Sequence, residues 1–174
     1  IWGQEVLGTS HVQVSSGQAG YTAFALRGLN VPTSLIGNVG GDLYGQQIVD
    51  DLQKKGVDVD GIRVEKDGKT GITVAIVRED GERAFVSDLA CLGSFDRTYI
   101  LDYQDKIEAA GIIGLVGIFN LPGFTLLDAA HVFSSFRSAG KITMLDSGWD
   151  PKNWSDSTLM DLKTLLREIY LFLP

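Results

Sequence analysis

The strongest constraint on the fold is a series of three short apolar runs in the second half of the chain. These runs cover residues 112–119, 141–146 and 169–173, and helical patterns over 124–139 and 156–168 separate them. A nearly continuous apolar run is typical of a strand buried on both faces of a parallel sheet, and a helix is the usual crossover between parallel strands. This half of the chain therefore predicts an α/β fold with a parallel sheet.

The beginning of the chain shows the same alternation. Apolar residues recur at helical spacing over 17–29 and again over 42–55, and a β-prone run at 33–37 lies between them. Gly56 follows the second helical pattern at the place where a left-handed residue usually ends a helix. We expect two helices around one short strand here.

A β-rich section interrupts the alternation. Strand-like runs cover 57–64, 71–78 and 83–89, and Asp80-Gly81 between the last two is a hairpin signal. Residues 5–15 are mixed and rich in Val, Thr and Ser, which favours one or two further short strands. Because a hairpin does not fit a strand–helix alternation, we assign it to an accessory sheet or a sheet edge.

Charge and composition exclude several functional classes. The net charge is −7, so the chain lacks the basic surface that nucleic-acid binding requires. No apolar run approaches the roughly 18 residues of a membrane span. The single cysteine excludes an internal disulfide and suits a reducing compartment. With two histidines far apart in sequence, no Cys/His zinc pattern exists, and we predict no metal ligands.

Three segments combine residues that could bind a ligand. Residues 16–21 begin a helix with Ser and Gly. These small residues either let a ligand approach the free backbone N–H groups at the start of the helix or only allow close packing. Residues 37–45 are glycine-rich, but their spacing differs from the dinucleotide fingerprint, so a tight turn capped by Asp42 is the simpler interpretation. Residues 145–151 place Asp146 and Asp150 at the end of a buried strand. Either both carboxylates contact a ligand, or Asp146 caps the turn and Asp150 lies in a surface loop.

The order of these segments resembles the N-terminal half of a ribokinase-like (PfkB) carbohydrate kinase. Ser16-Gly17 followed by Tyr21-Thr22-Ala23 is similar to the family's Gly-Gly-x-x-x-Asn-x-Ala segment. Residues 37–45 are similar to its Gly-x-Val-Gly-x-Asp-x-x-Gly signature, which is the most specific match. The hairpin looks like the family's lid, and Leu121-Pro122, Leu145-Asp146 and Leu171-Phe172-Leu173-Pro174 continue the pattern.

The resemblance implies a fold and an activity. The fold is a three-layer sandwich with a parallel-rich central sheet and a small β lid, in a single incomplete domain over 1–174. The lid strands fall at approximately 5–15 and 57–90, and the chain resembles a family member truncated at both ends. The implied activity is ATP-dependent phosphorylation of a sugar hydroxyl in the cytoplasm, with Mg²⁺ as the metal.

The resemblance also implies site residues. In the family the sugar lies between the main sheet and the lid. Carried over by position, the substrate-binding residues are Gly17, Gln18 and Tyr21 on the sugar side, Gly41 and Asp42 at the pocket floor, and Asp88 on the lid. No residue of this chain is identified as catalytic, because the family's base Asp and most of its ATP pocket would lie beyond Pro174. Ser16 and Tyr21 depart from the family's Gly and Asn, which leaves the substrate open.

Two alternatives remain. An aromatic Tyr21 near the pocket favours a nucleoside kinase of the same fold. The β edges of the hairpin favour a non-catalytic ligand-binding or dimerisation module, with a homodimer formed through the lid.

Overall fold

The computed structural model describes residues 3, 5 and 7–173. The α-helices in this part of the chain are α1 (Gln18–Gly28), α2 (Leu43–Lys54), α3 (Arg97–Leu101), α4 (Gln104–Ala109), α5 (Leu126–Ser138) and α6 (Asp156–Leu166). The strands are β1 (Ser34–Gly40), β2 (Asp58–Glu65), β3 (Ile72–Val77), β4 (Arg83–Asp88), β5 (Ile112–Val116), β6 (Ile142–Asp146) and β7 (Leu171–Leu173). Short 3₁₀ helices cover Ala90–Ser94 and Ile118–Asn120.

Most strands pair in parallel. β1 pairs with β2, and β5, β6 and β7 form a second parallel group in that order. A helix connects each successive parallel pair: α2 joins β1 to β2, α5 joins β5 to β6, and α6 joins β6 to β7. The predicted α/β fold with parallel strands is therefore confirmed.

The two faces of β1 pack against different groups of residues. Leu35 of β1 packs with Leu52 and Ala23 in a core cluster formed with α1 and α2. The next residue, Ile36, packs instead against the cluster that contains Tyr99 of α3 and Leu145 of β6. Because successive side chains of a strand point to opposite faces, this division defines three layers.

Two strand assignments from the sequence are wrong. The described residues within 5–15 form no strand, and Val12 among them is 88% exposed. β-prone composition cannot make a strand without a neighbour to pair with. The run at 57–64, grouped with the lid, is β2, which among the described strands pairs in parallel with β1 and does not pair with the hairpin. Val59 and Gly61 are buried there, and composition does not indicate which partner a strand will choose.

The hairpin forms its own two-stranded sheet, as predicted. β3 and β4 pair antiparallel from Ile72 opposite Asp88 to Val77 opposite Arg83. Every residue of both strands is exposed, so neither face of the hairpin packs on the rest of the described chain. Among the residues described, no helix is both long enough and apolar enough to span a bilayer.

Candidate functional site

Helix α1 begins at a glycine whose backbone most residues would not adopt. Gly17 is the N-cap, with φ at +97° and no side-chain hydrogen bond to the helix amides. Its carbonyl accepts the backbone N–H of Tyr21. A side chain would be strained at this φ, and its absence leaves the first amides of the helix accessible.

The side chain of Gln18 extends from this helix over the carboxyl ends of β5 and β6. Asn120 Nδ2 donates to Gln18 Oε1 over 3.3 Å. A Cβ placed on Gly148 would lie 2.9 Å from Gln18 Nε2, and a Cβ on Gly117 would overlap Gln18 Oε1. Both amide side chains are exposed. We call Gln18, Asn120, Gly117 and Gly148 the amide cluster.

Local turns place the two glycines. Gly117 has φ at +72°, which ends β5 three residues before the predicted end of that strand, and its N–H donates to the Asp146 carbonyl over 2.8 Å. Gly148 has φ at +67°, and its N–H donates to the Asp146 carboxylate over 3.1 Å. Asp146 therefore caps the turn after β6, as one of the two interpretations of this carboxylate expected.

Asp150 is buried, so its interpretation as part of a surface loop is wrong. Its residue is only 1% exposed, and its carboxylate accepts the backbone N–H groups of Lys152 and Trp154. Among the residues that the structure describes, no group of three or more His, Cys, Asp or Glu side chains could hold a metal ion.

Among the described residues, no hydrogen bond connects the glycine-rich segment 37–45 with the amide cluster. Asp42 caps α2 by accepting Gly45 N–H over 2.9 Å, as the sequence predicted. The same carboxylate accepts the N–H of Thr70 over 2.8 Å and its hydroxyl over 2.6 Å. These hydrogen bonds, with the Thr70 hydroxyl contributing most, lower the pKa of Asp42 to about 2. Gly41 donates to the Glu65 carbonyl over 2.8 Å.

The other predicted residues divide between two places. Tyr21 is 53% exposed and follows Gln18 by three residues, so the two share one side of α1. Asp88 ends β4, where its carboxylate accepts the Ala90 N–H over 3.0 Å. Gly17, Gln18 and Tyr21 thus lie together, whereas Gly41, Asp42 and Asp88 lie around the base of the hairpin.

Sequence reasoning missed Asn120, Gly117 and Gly148. A signal existed for Asn120 and Gly148, because each follows a predicted buried strand, and ligands of open α/β sheets bind at the carboxyl ends of strands. Gly117 lay inside the run predicted as a strand, so the sequence carried no such signal for it. What the sequence could not provide was their meeting with Gln18, about a hundred residues earlier in the chain.

The sequence of this chain is similar to those of known kinases. The model of the pfkB family carbohydrate kinases matches residues 4–174. An ATP-dependent ribose-1-phosphate kinase of Halopiger xanaduensis is 39% identical over 79 residues, which cover 45% of this chain and 27% of that protein. Ribokinase of Bacillus subtilis is 29% identical over 111 residues, covering 64% of this chain and 38% of that protein.

Solved structures agree on the fold. Ribokinase from Giardia lamblia superposes with a TM-score of 0.78 at 17% identity, covering 99% of this chain and 51% of that one. Arabidopsis thaliana ribokinase, solved with ribose and ATP, gives 0.70 at 21% identity, covering 84% and 46%. The chain thus spans about half the length of these solved relatives. Because the family model extends over nearly the whole chain and the fold agrees with it, this chain belongs to the pfkB family of carbohydrate kinases.

Proposed function

We propose that the protein containing this chain transfers a phosphoryl group from ATP to a hydroxyl of a sugar. The observation that carries the proposal is the amide cluster. Gln18 and Asn120 present exposed carboxamides at the ends of parallel strands, and a carboxamide can both donate to and accept from a hydroxyl. Family membership supports the reaction class, and the Halopiger and Bacillus relatives are named as kinases of ribose-1-phosphate and ribose.

This chain would contribute substrate orientation. In the proposal, Gln18 and Asn120 bind sugar hydroxyls, and Gly17 lets the substrate approach the amides of α1. Tyr21 limits one side of the site. Asp88 would bind the substrate from the hairpin, and Gly41 and Asp42 would form the floor of the pocket at the base of the hairpin.

ATP would supply the phosphoryl group, and Mg²⁺ would offset the charge that develops during its transfer. The described residues include no metal-binding cluster, so we assign no Mg²⁺ ligand to this chain. On the family resemblance, we also assign it no catalytic base. Its residues bind and orient the acceptor. Accordingly, we expect the 174-residue chain alone to show no turnover.

The test combines a substrate panel with one substitution. The protein that contains this chain in full is assayed with ATP and ribose, ribose-1-phosphate, fructose and adenosine. Gln18→Ala is expected to raise KM for the accepted sugar about 2–10-fold, since one hydrogen bond contributes about 0.5–1.5 kcal/mol. Gln53→Ala, which truncates an exposed glutamine on α2, is the matched control and should leave KM unchanged. Absence of phosphorylation of every sugar would overturn the proposal.

A nucleoside acceptor is the second candidate, and Tyr21 favours it. The residue is 53% exposed and lies within one turn of Gln18, and an aromatic face can stack on a base. Under this alternative, adenosine is phosphorylated in preference to the sugars, and Tyr21→Ala weakens the binding of adenosine more than Tyr21→Phe does.

The third candidate is dimerisation through the hairpin, with or without catalysis. Val74 and Ile76 on one face and Phe85 on the other are each more than half exposed, which is unusual for a protein that exists alone. Sedimentation of wild type and Val74→Asp tests this, with Val64→Asp on β2 as an exposed control outside the hairpin. A dimer lost only in Val74→Asp supports the hairpin interface, and a monomeric wild type rejects it.

A further inference from the structure

The hairpin contacts the body of the protein mainly at its base. Every residue of β3 and β4 is exposed, so the direction in which the hairpin projects depends on the two chain segments that enter and leave it. We call residues 66–71 the first leg and residues 89–94 the second leg.

Asp42 holds the first leg. Both of its carboxylate oxygens are used, because Oδ2 accepts Thr70 N–H over 2.8 Å and Oδ1 accepts the Thr70 hydroxyl over 2.6 Å. The Thr70 hydroxyl in turn accepts the N–H of Gly40 over 3.0 Å. Thr70 is 5% exposed, so water competes little for these groups.

Asn38 holds the second leg. The residue is 6% exposed, and its Nδ2 donates to the Cys91 carbonyl over 2.6 Å and to the Ser94 hydroxyl over 2.9 Å. Ser94 also donates to the carboxylate of Glu65 at the end of β2 over 3.0 Å. The legs are joined to each other by the Cys91 N–H, which donates to the Lys69 carbonyl over 3.0 Å.

The glycines of the same segment allow the first leg to approach this closely. A Cβ on Gly40 would overlap the Lys69–Thr70 peptide and lie 2.7 Å from the Gly68 carbonyl oxygen. A Cβ on Gly41 would lie 2.5 Å from the Lys66 carbonyl oxygen. The segment therefore meets the first leg backbone to backbone, and side chains would separate them.

We infer that Asn38 and Asp42 are positioning residues, which together fix the direction of the β3–β4 hairpin relative to the paired strands β1 and β2. The glycine-rich segment 37–45 then acts as a two-point clamp on the hairpin, through one carboxylate and one carboxamide four residues apart. The consequence for catalysis rests on the proposed function: a fixed hairpin holds the acceptor in place without touching the phosphoryl group. The lowered pKa of Asp42 keeps its carboxylate ionised, as this hydrogen bonding requires.

The direction of the hairpin can be measured without any activity. Spin labels are attached at Glu82 near the hairpin tip and at Lys163 on α6, both exposed, in a Cys91→Ser background that removes the native thiol. Pulsed electron paramagnetic resonance then gives the distribution of label-to-label distances. The clamped protein is expected to show one narrow peak.

Asp42→Asn and Thr70→Val each break the first point of the clamp and should cause loss of the narrow peak. The double variant should broaden the distribution by less than the sum of the two single changes, because both act on the contact between Asp42 and Thr70. Asp128→Asn is the matched control, since Asp128 accepts the N–H and hydroxyl of Thr125 over 3.1 and 2.6 Å far from the hairpin in sequence. A narrow peak retained in both Asp42→Asn and Thr70→Val, or equal broadening in Asp128→Asn, overturns the inference.

If the protein shows the proposed kinase activity, enzyme kinetics provide a second measurement. Asp42→Asn is expected to raise KM for the acceptor and to leave KM for ATP unchanged, whereas general loss of folded protein lowers kcat alone. If no kinase activity exists, the proposed function fails and the distance measurement still decides the clamp.

Discussion

Replacing Gly45 by Ala sets two physical effects of opposite sign against each other. Gly45 lies in the first turn of α2, where Ala would be favoured over Gly by about 1 kcal/mol if helix propensity alone decided. The added Cβ, however, would overlap the Gly40 carbonyl oxygen and lie 3.1 Å from the Gly40 carbonyl carbon and 2.9 Å from Thr70 Oγ1. Two of these three atoms belong to backbone that parallel pairing holds in place.

Overpacking of this kind costs about 1–3 kcal/mol, and fixed backbone places the cost at the upper end. Subtracting the propensity gain leaves a net destabilisation of about 1–2 kcal/mol. For a chain of this length, that corresponds to a fall in Tm of about 2–8 °C.

The matched control is Gly20→Ala, at another helical glycine. A Cβ on Gly20 of α1 would meet no atom within 4 Å outside the helix's own backbone, so only propensity acts there. Urea unfolding of both variants, followed by circular dichroism, should show Gly20→Ala unchanged or more stable and Gly45→Ala less stable. Equal stabilisation of both variants would refute the claim that close backbone approach decides the residue at 45.

Three further outcomes follow from buried and hydrogen-bonded groups. In the folded protein the pKa of Asp42 is about 2, below its ordinary 3.8, so the ionised carboxylate stabilises the fold above pH 4 and this stabilisation is lost as the pH falls toward 2. Between pH 5 and pH 2, Asp42→Asn should therefore lose less free energy of unfolding than wild type does. Leu145→Ala, at a side chain with no exposure, should cost about 3–5 kcal/mol in urea unfolding, whereas Leu127→Ala at a half-exposed position should cost under about 0.5 kcal/mol. Tyr99→Phe removes a buried hydroxyl that donates to the Gly37 carbonyl and accepts Arg63 N–H over 2.7 Å, and should cost about 1–3 kcal/mol; an unchanged stability would mean that water replaces the hydroxyl.

Local patterns predicted most elements because their causes are local. Asp42 caps α2 and Gly56 follows it with φ at +79°, as a carboxylate and a glycine at these places favour. Asp80-Gly81 joins β3 and β4, and the crossover helices between β5, β6 and β7 lie where the apolar periodicity predicts them. These features depend on neighbours within a few residues.

The pairing of strands was harder to predict from the sequence. The composition of residues 57–64 is compatible with the lid or with the main sheet, and only the burial of Val59 and Gly61 beside β1 distinguishes them. Residues 5–15 carry strand-forming residues but no strand among those described. Strand formation needs a partner, and the partner is a property of the whole fold.

The site divides in the same way. The sequence by itself determined the α/β class, the helix ends, the hairpin and, through resemblance, the kinase family, and it suggested Gln18 as a candidate substrate-binding residue. Only the tertiary structure decided that Asn120, Gly117 and Gly148 meet Gln18, and that Asn38 and Asp42 hold the two legs of the hairpin. The reason is physical: a cap or a turn forms between residues close in the chain, whereas these contacts form between segments that only the packed sheet brings together.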